Sequence, residues 1–194
     1  IVNEGRRVIN NITASASMYL IKTIFSVVLS IGMILFGHGY PFKPIQLTVI
    51  SACCVGIPTF FLTYEPNFKR VSGDFLKTVF KNAFPFAFMI AICSTIIVNG
   101  GRVLGLEKEM LSTICVLLTS WCYYNGLRHI YSPLSHYRIF VIYIMQIVLY
   151  ISLIVGHQFL GLGNIDYIGA ITLMFLVTFS KIIYLLNFEL FDYT

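Results

Sequence analysis

The stretch Ser51–Phe61 reads SACCVGIPTFF and sits inside a long apolar run. Its hydrophobicity calls for a helix, yet it carries Gly56 and Pro58, the residue types a helix interior tolerates least. Pro58 has no N–H to offer the carbonyl of Cys54, and its ring crowds that turn. Gly56 lets the backbone swing open. The pattern predicts a helix broken at its centre, with the carbonyls of about residues 53–55 free to face a ligand. Irregular backbone at membrane depth survives only where it is buried in protein or lines a cavity. Discontinuous helices near the midplane are a recurrent way to hold transported ions. A proline kink packed against neighbouring helices is the competing reading.

The composition names the solvent. Of 194 residues, 58% are hydrophobic and 11% are charged. A soluble domain carries roughly a quarter charged residues. This chain cannot cover a water-facing surface, which predicts an all-α, polytopic membrane protein in the lipid bilayer. The net charge of +5 is spread between apolar blocks rather than gathered in a dense basic run, so nucleic acid is not an expected partner. Cys53, Cys54, Cys93, Cys115 and Cys122 all fall inside apolar runs and lack zinc-site or disulfide-framework spacing. They read as small buried hydrophobes. His38, His129, His136 and His157 lie in loops or at span ends without metal-ligand spacing on a helix. The chain begins at Ile1 and shows no signal-peptide pattern, so the expectation is a piece of a longer protein.

Six apolar blocks, about 16–36, 45–63, 77–98, 109–124, 138–155 and 166–186, approach the ~20 residues that span a hydrocarbon core. They predict a six-helix bundle with a broken second helix. The 109–124 block is short and holds Thr113, Thr119 and Ser120, so it should face protein rather than lipid. Asn82 and Pro85 are read as opening the third span, and Gln146, mid-span in the fifth, as able to bond across helices. Aromatic residues near span ends read as an interfacial belt. With the N-terminus in the cytoplasm, that side holds Arg6, Arg7, Lys69, Arg70, Lys77, Lys81, Arg128 and Arg138, against Lys43, Arg102 and Lys108 outside. This bias favours cytoplasmic termini.

The eight acids, Glu4, Glu65, Asp74, Glu107, Glu109, Asp166, Glu189 and Asp192, all lie at or beyond span ends. A proton relay of carboxylates, or a calcium cage built from these spans alone, is therefore not expected. The polar groups inside the membrane are different. Lys22 lies about a third of the way into the first span, where an ionisable residue marks a functional site unless it snorkels. Thr23, Ser26 and Ser30 share one face of that helix. Thr48, Ser51 and Cys54 approach one face just before Gly56 and Pro58. Back-bonding to the helix is the plainer use of these hydroxyls.

The stretch NEGRRVINNI (Asn3–Ile12), running directly into an apolar span, resembles the P-type cation-transporting ATPases. In that family a similar segment links the phosphorylation domain to the fifth transmembrane helix. PIQL (Pro44–Leu47) and VGIPTFFLTYEPN (Val55–Asn67) follow in the family's order and resemble its sixth helix. The wording is similar to a bacterial branch of calcium or general cation pumps. The match covers about residues 3–67; beyond it only the span count agrees.

The resemblance implies a stalk over 1–15 and a C-terminal transmembrane domain over 16–194. It implies that Lys22, Thr23, Ser26, Ser51, Cys54, Val55, Gly56 and Pro58 line an ion site or pathway. It assigns Glu65, Asn67, Lys69 and Arg70 to cytoplasmic coupling. Thr23 and Ser26 fall where calcium and sodium pumps place an Asn and a Glu, and Val55 replaces an ion-binding Asp. Lys22 falls where the gastric proton pump has a lysine, whose charge would repel a bound cation. The implied partners are the transported cation, the lipid bilayer, and the absent N-terminal helices and cytoplasmic domains. The implied location is the plasma (inner) membrane. The fragment itself has no catalytic residue or cofactor; the intact pump would use ATP and Mg2+. Calcium is the expected ion. A pump for protons or another cation is the alternative, as is a standalone six-span channel or secondary transporter.

Overall fold

A computed structural model of the chain describes residues 2–68 and 74–165, and beyond these 167, 169–175, 177 and 178. Among the described residues the regular structure is entirely helical. The first helix, α1, runs Val2–Leu35 without interruption. At a 1.5 Å rise its 34 residues extend about 50 Å, against a hydrocarbon core of about 30 Å. The polar stalk and the first span are therefore one rod. Met18, Ile21, Phe25, Leu29 and Met33 repeat every three or four residues and are buried. That stripe lets α1 pack along α4, its principal neighbour. Gly37 ends α1 with φ of 65°, while the His38 amide donates back to the Met33 carbonyl at 2.8 Å. This left-handed glycine cap satisfies carbonyls that the helix end leaves open.

The second span is α2 (Pro44–Ile50), a π-helical turn (Ser51–Gly56) and α3 (Ile57–Leu62). The interruption lies where Gly56 and Pro58 predict it, but it takes the form of a widened turn rather than an unwound segment. The Ile57 amide reaches back five residues to the Ala52 carbonyl. One extra residue in the turn keeps the helix continuous past the proline.

Helix α4 (Phe75–Val103) starts well before Asn82 and carries Pro85, buried, in its interior. The expectation that these residues open the third span is thus corrected: packing holds the helix together across the proline. Helix α5 (Lys108–Ile130) is buried on nearly all sides, from Leu111 and Cys115 to Tyr123 and Tyr124. Its polar residues face protein, as their place in a short apolar block suggested. Helix α6 (His136–Val155) and the short α7 (His157–Leu160) complete the elements with full bounds. Gln146 donates to the Tyr150 hydroxyl of its own helix at 3.2 Å, rather than across to another helix.

Four helical segments are long and apolar enough to cross a membrane: Val2–Leu35, Pro44–Leu62, Phe75–Val103 and His136–Val155. The expected sixth span, about 166–186, lies mostly outside the described residues. The core is aromatic where α1, the 36–43 loop and α5 meet: Phe25 stands edge-on to both Phe42 and Tyr123, each at 6.2 Å. Gln46, fully buried, binds three elements at once. Its Oε1 accepts from the Lys43 amide and the Ser112 hydroxyl, and its Nε2 donates to the Leu160 carbonyl, at 2.9–3.0 Å. A buried amide is stable only when so satisfied.

Candidate functional site

The π-turn is the point where the second span departs from regular hydrogen bonding. In this register a carbonyl pairs with the amide five residues on. The residue five beyond Cys53 is Pro58, so Cys53 loses its partner, one position earlier than α-helical geometry implies. The vacancy is met from α5. The Tyr124 hydroxyl lies 3.3 Å from the Cys53 carbonyl and 2.8 Å from the Met145 carbonyl of α6. It also meets the thiol of fully buried Cys54. Thr59 covers the rest of the turn, its hydroxyl lying 2.6 Å from the Val55 carbonyl and 3.0 Å from that of Gly56. The carbonyls of Cys53 and Val55 are engaged in this conformation by two hydroxyls, and a cation replacing those contacts would find oxygen ligands in place.

The other residues singled out from the sequence divide into groups. Gly56 is helical, and a Cβ added there would stand 3.9 Å from the Tyr19 hydroxyl, so the π-turn rests beside the α1 turn that carries Thr23. Thr23 is exposed, with its hydroxyl 3.4 Å from the Tyr19 carbonyl. Lys22 is half-buried and has no hydrogen bond or ion pair among the described residues. Ser26 is half-buried, with its side chain close to the Tyr40 hydroxyl. Ser51 and Thr48 donate to the Leu47 and Pro44 carbonyls of their own helix, at 2.6 and 3.0 Å. Val55 and Pro58 are buried apolar contacts. Among the described residues no three His, Cys, Asp or Glu side chains gather as a metal site.

At the opposite end of the second span the structure joins two sequence motifs. Asn10 and Asn11 of α1 donate to the carbonyls of Asn67 and Thr63, at 2.9 and 3.1 Å. The stalk thus grips the loop that leaves α3. Glu65 of that loop accepts from the Ser135 hydroxyl at 2.5 Å and pairs with Arg138 at 3.2 Å. Arg138 is 4% exposed and also donates to the Tyr131 and Pro133 carbonyls. Nearby, burial pushes the Tyr131 phenol above its ordinary range, while its bond to Ser15 and the Arg138 charge oppose the shift. Lys69 and Arg70 lie outside the described residues. Sequence reading missed Tyr124, Gln46 and Arg138. Only Gln46, an amide at the head of an apolar block, left a local signal.

The fold and these contacts define a polytopic helical membrane protein with a distorted second span locked to its first. No family model matches the chain, and no solved structure matches it. Curated relatives do. A probable cation-transporting ATPase, exp7, of Streptococcus pneumoniae is 33% identical over 150 residues, 73% of this chain and 19% of that protein. The calcium-transporting ATPase CtpE of Mycobacterium bovis is 31% identical over 135 residues, 61% of this chain and 17% of the relative. Its namesake in Mycolicibacterium smegmatis is 30% identical over 131 residues, 60% and 17%. These likenesses bear out the resemblance to P-type cation-transporting ATPases: the chain is a membrane segment homologous to part of them. It spans less than a fifth of the length of the relatives it matches.

Proposed function

We propose that the chain is the C-terminal membrane half of an ATP-driven P-type pump, that it supplies part of the ion site, and that the ion is calcium. The observation that carries this reading is the π-turn. It is a built-in irregularity at the Gly-x-Pro of the second span, where the Cys53 carbonyl, facing Pro58 instead of an amide, is met by the Tyr124 hydroxyl, and the Thr59 hydroxyl back-bonds to the Val55 and Gly56 carbonyls. Hydroxyls can be replaced by a cation; amides of a regular helix cannot. The calcium-transporting names of two relatives support the choice of ion.

In this reading the intact protein sits in the plasma (inner) membrane with both termini cytoplasmic. ATP and Mg2+ act on domains outside this chain, through an aspartyl-phosphate intermediate. The bonds from Asn10 and Asn11 to the Thr63–Asn67 loop support a path by which stalk movement reaches the π-turn. Lys22, without a hydrogen bond or ion pair among the described residues, would repel the cation as the site opens outward.

A proton or another cation is the second reading, favoured by Val55 standing where the family carries an acid. The deciding experiment is ion-dependent ATPase activity of the intact protein, titrated with calcium, magnesium, manganese, potassium and pH. Lys22→Ala and Ser51→Ala are expected to shift the apparent affinity for the activating ion. Unchanged ion dependence in both rejects the assigned site.

A further inference from the structure

Among the described residues, three Lys or Arg residues, Lys43, Arg102 and Lys108, stand at the end of the bundle remote from Asn10 and Asn67. They come from three separate segments, the 36–43 loop, the end of α4 and the start of α5. The fold gathers all three around one cavity of about 450 Å³. The cavity's acidic residue is Glu109, 3.8 Å from the Lys43 ammonium. Lys43 also donates to the Gly161 carbonyl, and Arg102 donates to His38 Nδ1 at 2.7 Å. Lys108 has no bond or ion pair among the described residues, and the Arg102 guanidinium keeps further N–H groups beyond the one His38 takes. The lining is apolar at Phe42, Val98 and Leu111. Like charges from distant segments repel unless an anion joins them.

We propose that this cavity binds the phosphate of an anionic phospholipid headgroup. Lys108 and Arg102 contact the phosphate, and the Phe42–Val98–Leu111 wall takes the glycerol and the first acyl carbons. Cationic side chains beside apolar ones at a span end attract an anionic headgroup and seat its first carbons; in the orientation favoured by the Lys and Arg bias this site meets the outer leaflet. The volume exceeds what a lone inorganic phosphate needs. The proposal does not depend on the ion pumped, because its readout is lipid binding rather than ATPase activity.

The test reconstitutes the intact protein in phosphatidylcholine vesicles and measures its relative affinity for spin-labelled phosphatidylglycerol over spin-labelled phosphatidylcholine. Wild type is expected to prefer phosphatidylglycerol. Each cation removed should weaken that preference about fivefold, so Arg102→Gln with Lys108→Gln loses about 25-fold. Glu109→Gln removes the opposing charge and is expected to strengthen it, a gain that misfolding cannot mimic. Millimolar inorganic phosphate in detergent is the second arm. Displacement of the probe supports the phosphate site with the free ion as a ligand, and its absence alongside the lipid preference supports the headgroup. No preference in wild type, or a preference unmoved by both the double variant and Glu109→Gln, overturns the proposal.

Discussion

Pro58 removes one amide from the second span, and the π-turn decides which carbonyl goes short. The carbonyl is that of Cys53, and its cover is the Tyr124 hydroxyl, which has one proton and two carbonyls in reach. Tyr124→Phe leaves both carbonyls without that donor and also removes the hydroxyl's contact with the Cys54 thiol. It is expected to destabilise the protein by about 1–3 kcal/mol, measured as a lower unfolding midpoint in detergent. A phenylalanine variant as stable as wild type would show that the turn needs no cover. Gly56 and Pro58 were legible because each acts on its own backbone. Tyr124 was not, because it stands in an apolar block as one aromatic among many and its partner is 71 residues away.

Elements are tied at their ends. The α3 exit loop is held by α1 through Asn10 and Asn11, and by the α5–α6 connection through Glu65 and Arg138. From sequence, Arg138 is one more cation on the cytoplasmic side; the fold buries it and gives it three partners. Arg138→Met strands the Glu65 carboxylate and two carbonyls, and is expected to cost about 3 kcal/mol. Glu65→Gln added to Arg138→Met should recover part of that loss in a double-mutant cycle of unfolding free energies. Strict additivity of the two changes would show that the pair is not coupled. The helices themselves were largely readable from apolar period and length. The place of Pro85 within α4 was not, because proline reads as a boundary by local rules, whereas burial against neighbours holds it inside a helix whose start matches the apolar block at about 77.

At the scale of the molecule, alkaline pH tests how the two ends are closed. Tyr131 at one end is 3% exposed and Tyr40 at the other is 38% exposed; desolvation raises both phenols above the ordinary range, with Tyr131 the more enclosed of the two. A raised folded-state value means the contribution is fully present below the unfolded value of about 10 and is lost as pH rises through the folded value. Unfolding midpoints taken from pH 8 to 11 should therefore decline at the alkaline end. Tyr131→Phe and Tyr40→Phe should each make that decline shallower. An identical decline in both variants would place the alkaline sensitivity elsewhere.

The sequence by itself determined the solvent, the helical class, the place of the irregular turn and the family resemblance. Each of these is written in composition or in residues close along the chain, where backbone chemistry acts within a few positions. Tertiary structure decided what the irregular turn faces, how the stalk holds the loop after α3, and that three scattered cations share one cavity. Those outcomes depend on side chains brought together across tens of residues by helix packing, and no local pattern records which partner will arrive.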